Sequence, residues 1–165
     1  MEQLMLILNC GGTFNKRYNA ILGELEVPFD NYAVETILNS VHLDYNLAGV
    51  LYKDSLDMDL NDRKMIASII MESQEETFII VHGTDTMNVT AEFLSEIFDD
   101  RKIILTGAMN PFEIDKVEAT LNLGMAIGFS KAKIDYGVYI CMNGHVELSS
   151  NIVKNKKLGI FEVVR

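Results

Sequence analysis

Short apolar runs recur along the chain, and most are followed by a longer stretch in which apolar residues return every three or four positions. The clearest run is Phe78-Ile79-Ile80-Val81, where three of four residues are β-branched. It predicts a strand buried on both faces. A turn follows at Gly83, and beyond it Val89, Phe93, Leu94, Ile97 and Phe98 keep helical spacing. Thr84, Asp85 and Thr86 therefore fall between a strand end and a helix start, where such oxygens ordinarily cap unpaired N–H groups. Leu4 to Leu8 predicts a first strand, Leu47 to Tyr52 a second, Lys102 to Leu105 a fourth and Tyr136 to Met142 a fifth.

Three further helices are predicted. One starts near Asp30 or Asn31 and carries Val34, Ile37, Leu38 and Val41. The next follows Asp59, spaced from Asp62 as in a capping box, with Met65, Ile66, Ile69 and Ile70 as its apolar stripe and the methionine as core filler. The last spans about Val117 to Phe129, with Ala119, Leu123, Ala126 and Ile127 on one face. Asn15 to Asp30 has no clean period and reads as a long loop or a hairpin over the strand ends. Asn143-Gly144 is a hairpin turn signal, so His145 to Leu148 is expected to return antiparallel. The apolar tail, Leu158 to Val164, is a candidate last strand.

This alternation predicts one α/β domain over residues 1–165: a mostly parallel, Rossmann- or flavodoxin-like sheet with helices on both faces and a C-terminal β-hairpin. Ligands of such sheets bind beyond the carboxyl ends of the strands, at the switch point. Four post-strand loops fall on that edge: Gly11–Phe14, Asp54–Met58, Gly83–Thr86 and Thr106–Pro111.

Composition narrows the choice. The chain has 165 residues and a net charge of −10, which disfavours nucleic acid and anionic membrane as partners. No apolar run approaches a membrane span, and the first ten residues lack the basic start of a secretion signal, so the cytoplasm is the default location. Cys10 and Cys141 each lie in an apolar stretch and read as reduced core residues. No Cys/His cluster has zinc spacing, and neither a metal nor an organic cofactor is expected.

Thr13 follows paired glycines, so its hydroxyl can stand free of crowding. A threonine hydroxyl is a weak nucleophile and needs a base, for which Asp85 and a lysine could form a relay through Thr84. A lysine serves as base only where its surroundings depress its pKa. Backbone N–H groups of the Gly11–Thr13 turn or the Gly83 helix start could hold an oxyanion. Residue chemistry alone thus predicts a hydroxyl-rich small-molecule site without metal.

Two motifs carry a resemblance. Gly11-Gly12-Thr13 after the first strand and His82-Gly83-Thr84-Asp85-Thr86 after a later one resemble the paired signatures of the bacterial-type L-asparaginases, on the same elements and in the same order. Thr106-Gly107-Ala108-Met109 with Pro111 is similar to that family's next post-strand segment. The resemblance covers the family's amino-terminal domain; its carboxyl-terminal domain has no counterpart here, and the chain looks like a short single-domain relative.

The resemblance implies cleavage of the side-chain amide of L-asparagine, or a related small amide, to the acid and ammonia. Thr13 would be the nucleophile, with Thr84, Asp85 and Lys154 as the second half of the machinery. Asp85 would also hold the substrate α-amino group, Ser55 its α-carboxylate, and backbone near Ala108 the amide oxygen, with Gly12, Gly83 and Thr84 lining the substrate. The residue after Ser55 is usually polar in the family and is Leu56 here; the family's loop tyrosine has only Tyr18 as a match; and the second domain of a neighbouring protomer completes the family's site. A homodimer or higher homo-oligomer is expected. The alternatives are a non-catalytic amino-acid-binding or regulatory module, and a flavodoxin-like phosphate binder, against which the charge and the lack of a phosphate motif count.

Overall fold

A computed structural model of the chain describes residues 5–42 and 45–164, so Leu4 of the expected first strand lies outside the described residues. Side chains alternate between two cores across the central strands. Leu8 and Cys10 of β1 (Met5–Gly11), Phe78 and Ile80 of β5 (Thr77–Val81) and Ile103 and Leu105 of β6 (Lys102–Thr106) face one core. Ile7, Ile79, Val81 and Ile104 face the other. That is the period-two geometry of a strand covered on both sides.

The first core is closed by α2 (Leu60–Glu72) and α3 (Met87–Ile97), the second by α1 (Tyr32–Ser40) and α4 (Lys116–Lys131). With β4 (Asn46–Lys53), β7 (Gly137–Met142) and β8 (His145–Leu148), the sheet runs in the order β4-β1-β5-β6-β7-β8. All neighbours are parallel except β7 and β8. The expected α/β architecture and the antiparallel return are therefore what the chain adopts. Order reverses between β1 and β5, which makes that crevice the switch point. Asn143 and Gly144 both take positive φ, 53° and 84°, as a two-residue hairpin loop of this type requires.

Two small ribbons stand apart. The Asn15–Asp30 segment contains a hairpin of β2 (Arg17–Asn19) and β3 (Glu24–Glu26) whose tip exposes Ile21 and Leu22. The tail pairs β9 (Ile152–Asn155) with β10 (Ile160–Val163), and Ile152 and Phe161 anchor this ribbon in the first core.

Some predicted stripes were out of phase. Met65 is 49% exposed, and Ile66 and Ile70 alone of its stripe are fully buried. Val89 and Ile97 also face outward, while Met87, Thr90, Ala91 and Leu94 form the buried face of α3. Among the described residues, no helix is long and apolar enough to cross a membrane.

Candidate active site

The Thr13 turn is built around backbone. Gly11 and Gly12 carry φ of 84° and 76°, a region L side chains avoid. A Cβ on Gly12 would stand 2.5 Å from both the Cα and the N of Gly83. The loops after β1 and β5 therefore touch through glycine alone. Gly83 in turn lies against Ser55, and Gly107 against the His82 carbonyl, so the loops after β4 and β6 close on the same point. Gly12 N–H donates to the Lys53 carbonyl at 2.9 Å, and His82 N–H to that of Thr106 at 2.9 Å.

Thr13 opens a 3-10 turn, Thr13–Asn15, and is half-buried; among the described residues its hydroxyl makes no hydrogen bond. Two buried amides beneath it, Asn9 and Asn15, donate to each other at 2.9 Å in both directions. Asn15 also donates to the Gly11 carbonyl at 2.8 Å. Lys16 pairs with Asp54 at 2.7 Å, joining the Thr13 turn to the Ser55 turn. Burial pushes the Asp54 carboxyl upward, but the Lys16 ammonium and the Leu56 N–H outweigh it, leaving its pKa below the usual range.

Lys154 comes from the other end of the chain. Its side chain is 11% exposed, and its ammonium donates to Thr84 Oγ1 and to Asp85 Oδ1, each at 2.8 Å. Lys154 thus turns inward, whereas Lys156 and Lys157 of the same stretch are exposed. Thr84, Asp85 and Lys154 are thus brought together beside Gly12 and Gly83. Ser55 is buried, with its hydroxyl accepting from Thr86 N–H at 3.3 Å. Ala108 is buried at the end of β6 in the second core, and Leu56 next to Ser55 is 67% exposed.

Neither Thr84 nor Thr86 acts as the ordinary cap their position suggested. Thr86 occupies the N-cap position of α3 without a side-chain cap bond. Its hydroxyl instead donates to the Ser55 carbonyl at 3.0 Å and accepts from Arg63 at 2.9 Å. His82 is fully buried: Nδ1 lies 2.7 Å from the Gly83 carbonyl and Nε2 2.8 Å from Thr90 Oγ1. Burial lowers its pKa to about 4, the Arg63 charge adding in the same direction against the Gly83 contact, so at neutral pH the ring is uncharged. It is a fastening of the turn, consistent with a packed histidine.

Arg63, Thr90, Asn9 and Asn15 had no motif to announce them. Only a buried asparagine between strand residues, as in Ile7-Leu8-Asn9-Cys10, was a readable signal, because a polar group at that depth needs partners. A cavity of about 190 Å³ borders the other side of the Thr13 turn, lined in part by Phe14, Lys16, Arg17, Tyr32, Phe112 and Lys116; Thr84, Asp85 and Lys154 are not among its walls. No group of three or more His, Cys, Asp or Glu positioned for a metal occurs among the described residues.

Comparison with known proteins adds to this geometry. The family model "Asparaginase, N-terminal" matches residues 4–161. "L-asparaginase 2" of Escherichia coli is 30% identical over 131 residues, 73% of this chain and 38% of that protein. A component of the glutamyl-tRNA(Gln) amidotransferase of Methanococcus maripaludis is 31% identical over 147 residues, 84% of this chain and 34% of that protein. The structure of the thermostable L-asparaginase from Thermococcus kodakarensis superposes with a TM-score of 0.82 at 23% identity, over 96% of this chain and 50% of that one, and shows the shared fold. The chain spans about half or less of the curated relatives it matches, with shares of 40%, 49% and 38%.

Proposed function

The chain belongs to the asparaginase N-terminal family, and from that premise we propose that it is an amidohydrolase releasing ammonia from L-asparagine or a related small amide. The observation that carries the reading is the Lys154 ammonium at 2.8 Å from both Thr84 and Asp85, on a loop whose glycine touches the glycine preceding Thr13. Thr13 and Thr84 each follow one of those two glycines, so their hydroxyls start from adjacent backbone.

In this reading the Thr13 oxygen attacks the amide carbon, and the Thr13 proton reaches the leaving nitrogen through Thr84 and Lys154. Ammonia departs, and water then cleaves the ester to give the acid. Asp85 holds Lys154 in place and takes the substrate α-amino group. Ser55 donates to the α-carboxylate, because its own oxygen already accepts from Thr86 N–H. Gly12, Gly83 and Thr84 line the substrate, and backbone near Ala108 meets the amide oxygen. Aligned oxyanion donors are worth ~100-fold or more in rate.

The test is ammonia release from asparagine, glutamine and aspartyl amides by the purified protein. Thr13→Ala and Lys154→Met are each expected to lower turnover at least ~100-fold. Exposed Leu56, which can neither donate nor accept, favours a second reading as an amino-acid-binding module. Aspartate binding without ammonia release would select that module; equal inertness of wild type and both variants, with no aspartate binding, would remove both readings.

A further inference from the structure

Arg63 is buried at 8% exposure and pairs with no carboxylate among the described residues. Its guanidinium donates only to neutral oxygens: Nε to Thr90 Oγ1 at 2.9 Å, Nη2 to Thr86 Oγ1 at 2.9 Å, and Nη1 to the Met58 carbonyl at 3.5 Å. A buried charge without a counter-charge is unfavourable in a folded protein, and such charges are normally paired. The opposite sign is missing from this set of contacts.

The hydrogen bonds around Arg63 lead through Thr86 to Ser55 and through Thr90 and His82 to Gly83. Because Thr86 Oγ1 accepts from Arg63, its own proton goes to the Ser55 carbonyl. Thr86 N–H occupies a lone pair of Ser55 Oγ. The Ser55 proton is then left free for a further acceptor. Thr90 Oγ1, accepting from Arg63, donates to His82 Nε2, and His82 Nδ1–H donates to the Gly83 carbonyl. A neutral His82 is required for that direction, which its burial beside Arg63 secures.

We propose that Arg63 is an electrostatic positioning residue whose missing anionic partner is the α-carboxylate of the substrate, held by the Ser55 hydroxyl and sensed through Thr86. The proposal rests on the amidohydrolase reading, which places that carboxylate at Ser55. It makes Arg63, from within the first core, a determinant of preference for α-carboxylate substrates over neutral analogues. Guanidinium and ligand do not touch; the effect is that of a fixed charge in a low-dielectric interior, where it is weakly screened.

Two ligands and two variants separate charge from shape. L-Aspartate carries the α-carboxylate; L-aspartic acid α-amide replaces it with a neutral amide. Arg63→Gln keeps donors without charge, and Arg63→Lys keeps charge without the fork. Calorimetry is expected to show aspartate affinity falling about tenfold in R63Q and less than about threefold in R63K, as a buried charge interaction lost or kept implies. Affinity for the α-amide is expected to stay within about twofold in both variants, since no charge remains for Arg63 to act on. Parallel losses on both ligands, or aspartate affinity unchanged in R63Q, overturn the proposal while leaving ammonia release by wild type intact. A folded wild type that binds neither ligand overturns the amidohydrolase reading and this proposal together.

Discussion

Gly12 is the residue on which the two halves of the site meet. Its φ of 76° and the 2.5 Å clearance a Cβ would have to Gly83 act together. Gly12→Ala is expected to destabilise the fold by roughly 2–4 kcal/mol, as strained left-handed backbone and an enforced shift do, and to abolish ammonia release. A urea melt paired with the ammonia assay checks both; a fully active G12A with wild-type stability would mean the loops do not need that contact. At this scale the sequence was readable where chemistry is local. Paired glycines before a threonine and the HGTDT run announced themselves. Lys154 could be picked out only through the resemblance, because nothing in Lys154-Asn155-Lys156-Lys157 says which ammonium turns inward. The answer depends on β9 being anchored by Ile152, a tertiary fact. Arg63 was invisible for a related reason: on a helix between Asp62 and Lys64 it looks like solvent-facing charge.

Elements were legible to the extent that their ends carry chemistry. Asp59 and Asp62 form the capping box that their spacing predicts, with Asp62 N–H to Asp59 at 2.9 Å and Asp59 N–H to Asp62 at 3.0 Å. Asp62 also takes the Lys53 ammonium at 2.9 Å, linking the start of α2 to the end of β4. Asp59→Ala is expected to cost about 1 kcal/mol, the usual worth of an N-cap, seen as a lower denaturation midpoint. Asp62→Ala loses both the box and the Lys53 pair, and a midpoint no lower than that of D59A would show the pair to be inert. Helix phase was less legible than helix ends. In α3 the large residues Val89 and Ile97 face outward while the small or polar Ala91 and Thr90 are buried. The reason is chemical: Thr90 is needed inside to bridge Arg63 and His82, so hydrophobicity alone assigned the stripe wrongly.

For the whole molecule, buried and paired groups set how stability follows pH. His82, with a pKa near 4 in the fold against an ordinary 6.5, is uncharged when folded and takes a proton on unfolding between those values. Stability therefore falls as pH drops from about 6.5 to about 4, by roughly 3 kcal/mol, and this term stops falling below that. Asp54 and Asp62 act in a lower window. Burial raises both carboxyls, but their hydrogen bonds and lysine partners win and leave their pKa values below 3.8. Their stabilising effect is complete above that value and is lost as pH falls through the lowered one. Thermal melts from pH 7 to 3 should show two slopes, and His82→Asn should flatten the upper one; an unchanged upper slope would assign it to other groups. The parallel sheet and its switch point followed from the alternation of runs and periods, because that architecture has few competitors for such a pattern. The separate β9–β10 ribbon did not, since four-residue strands carry too little pattern to fix a partner.

That ribbon contributes Lys154 yet, among the described residues, pairs with no strand of the main sheet; Ile152, Phe161, and side-chain contacts such as Asn88 to the Ile152 carbonyl at 2.7 Å fasten it. On the proposed function, competence should therefore be lost before the global fold: on gentle warming, amide protons of the ribbon should exchange with deuterium sooner than those of β5, and ammonia production should fade while the circular dichroism of the helices is still unchanged.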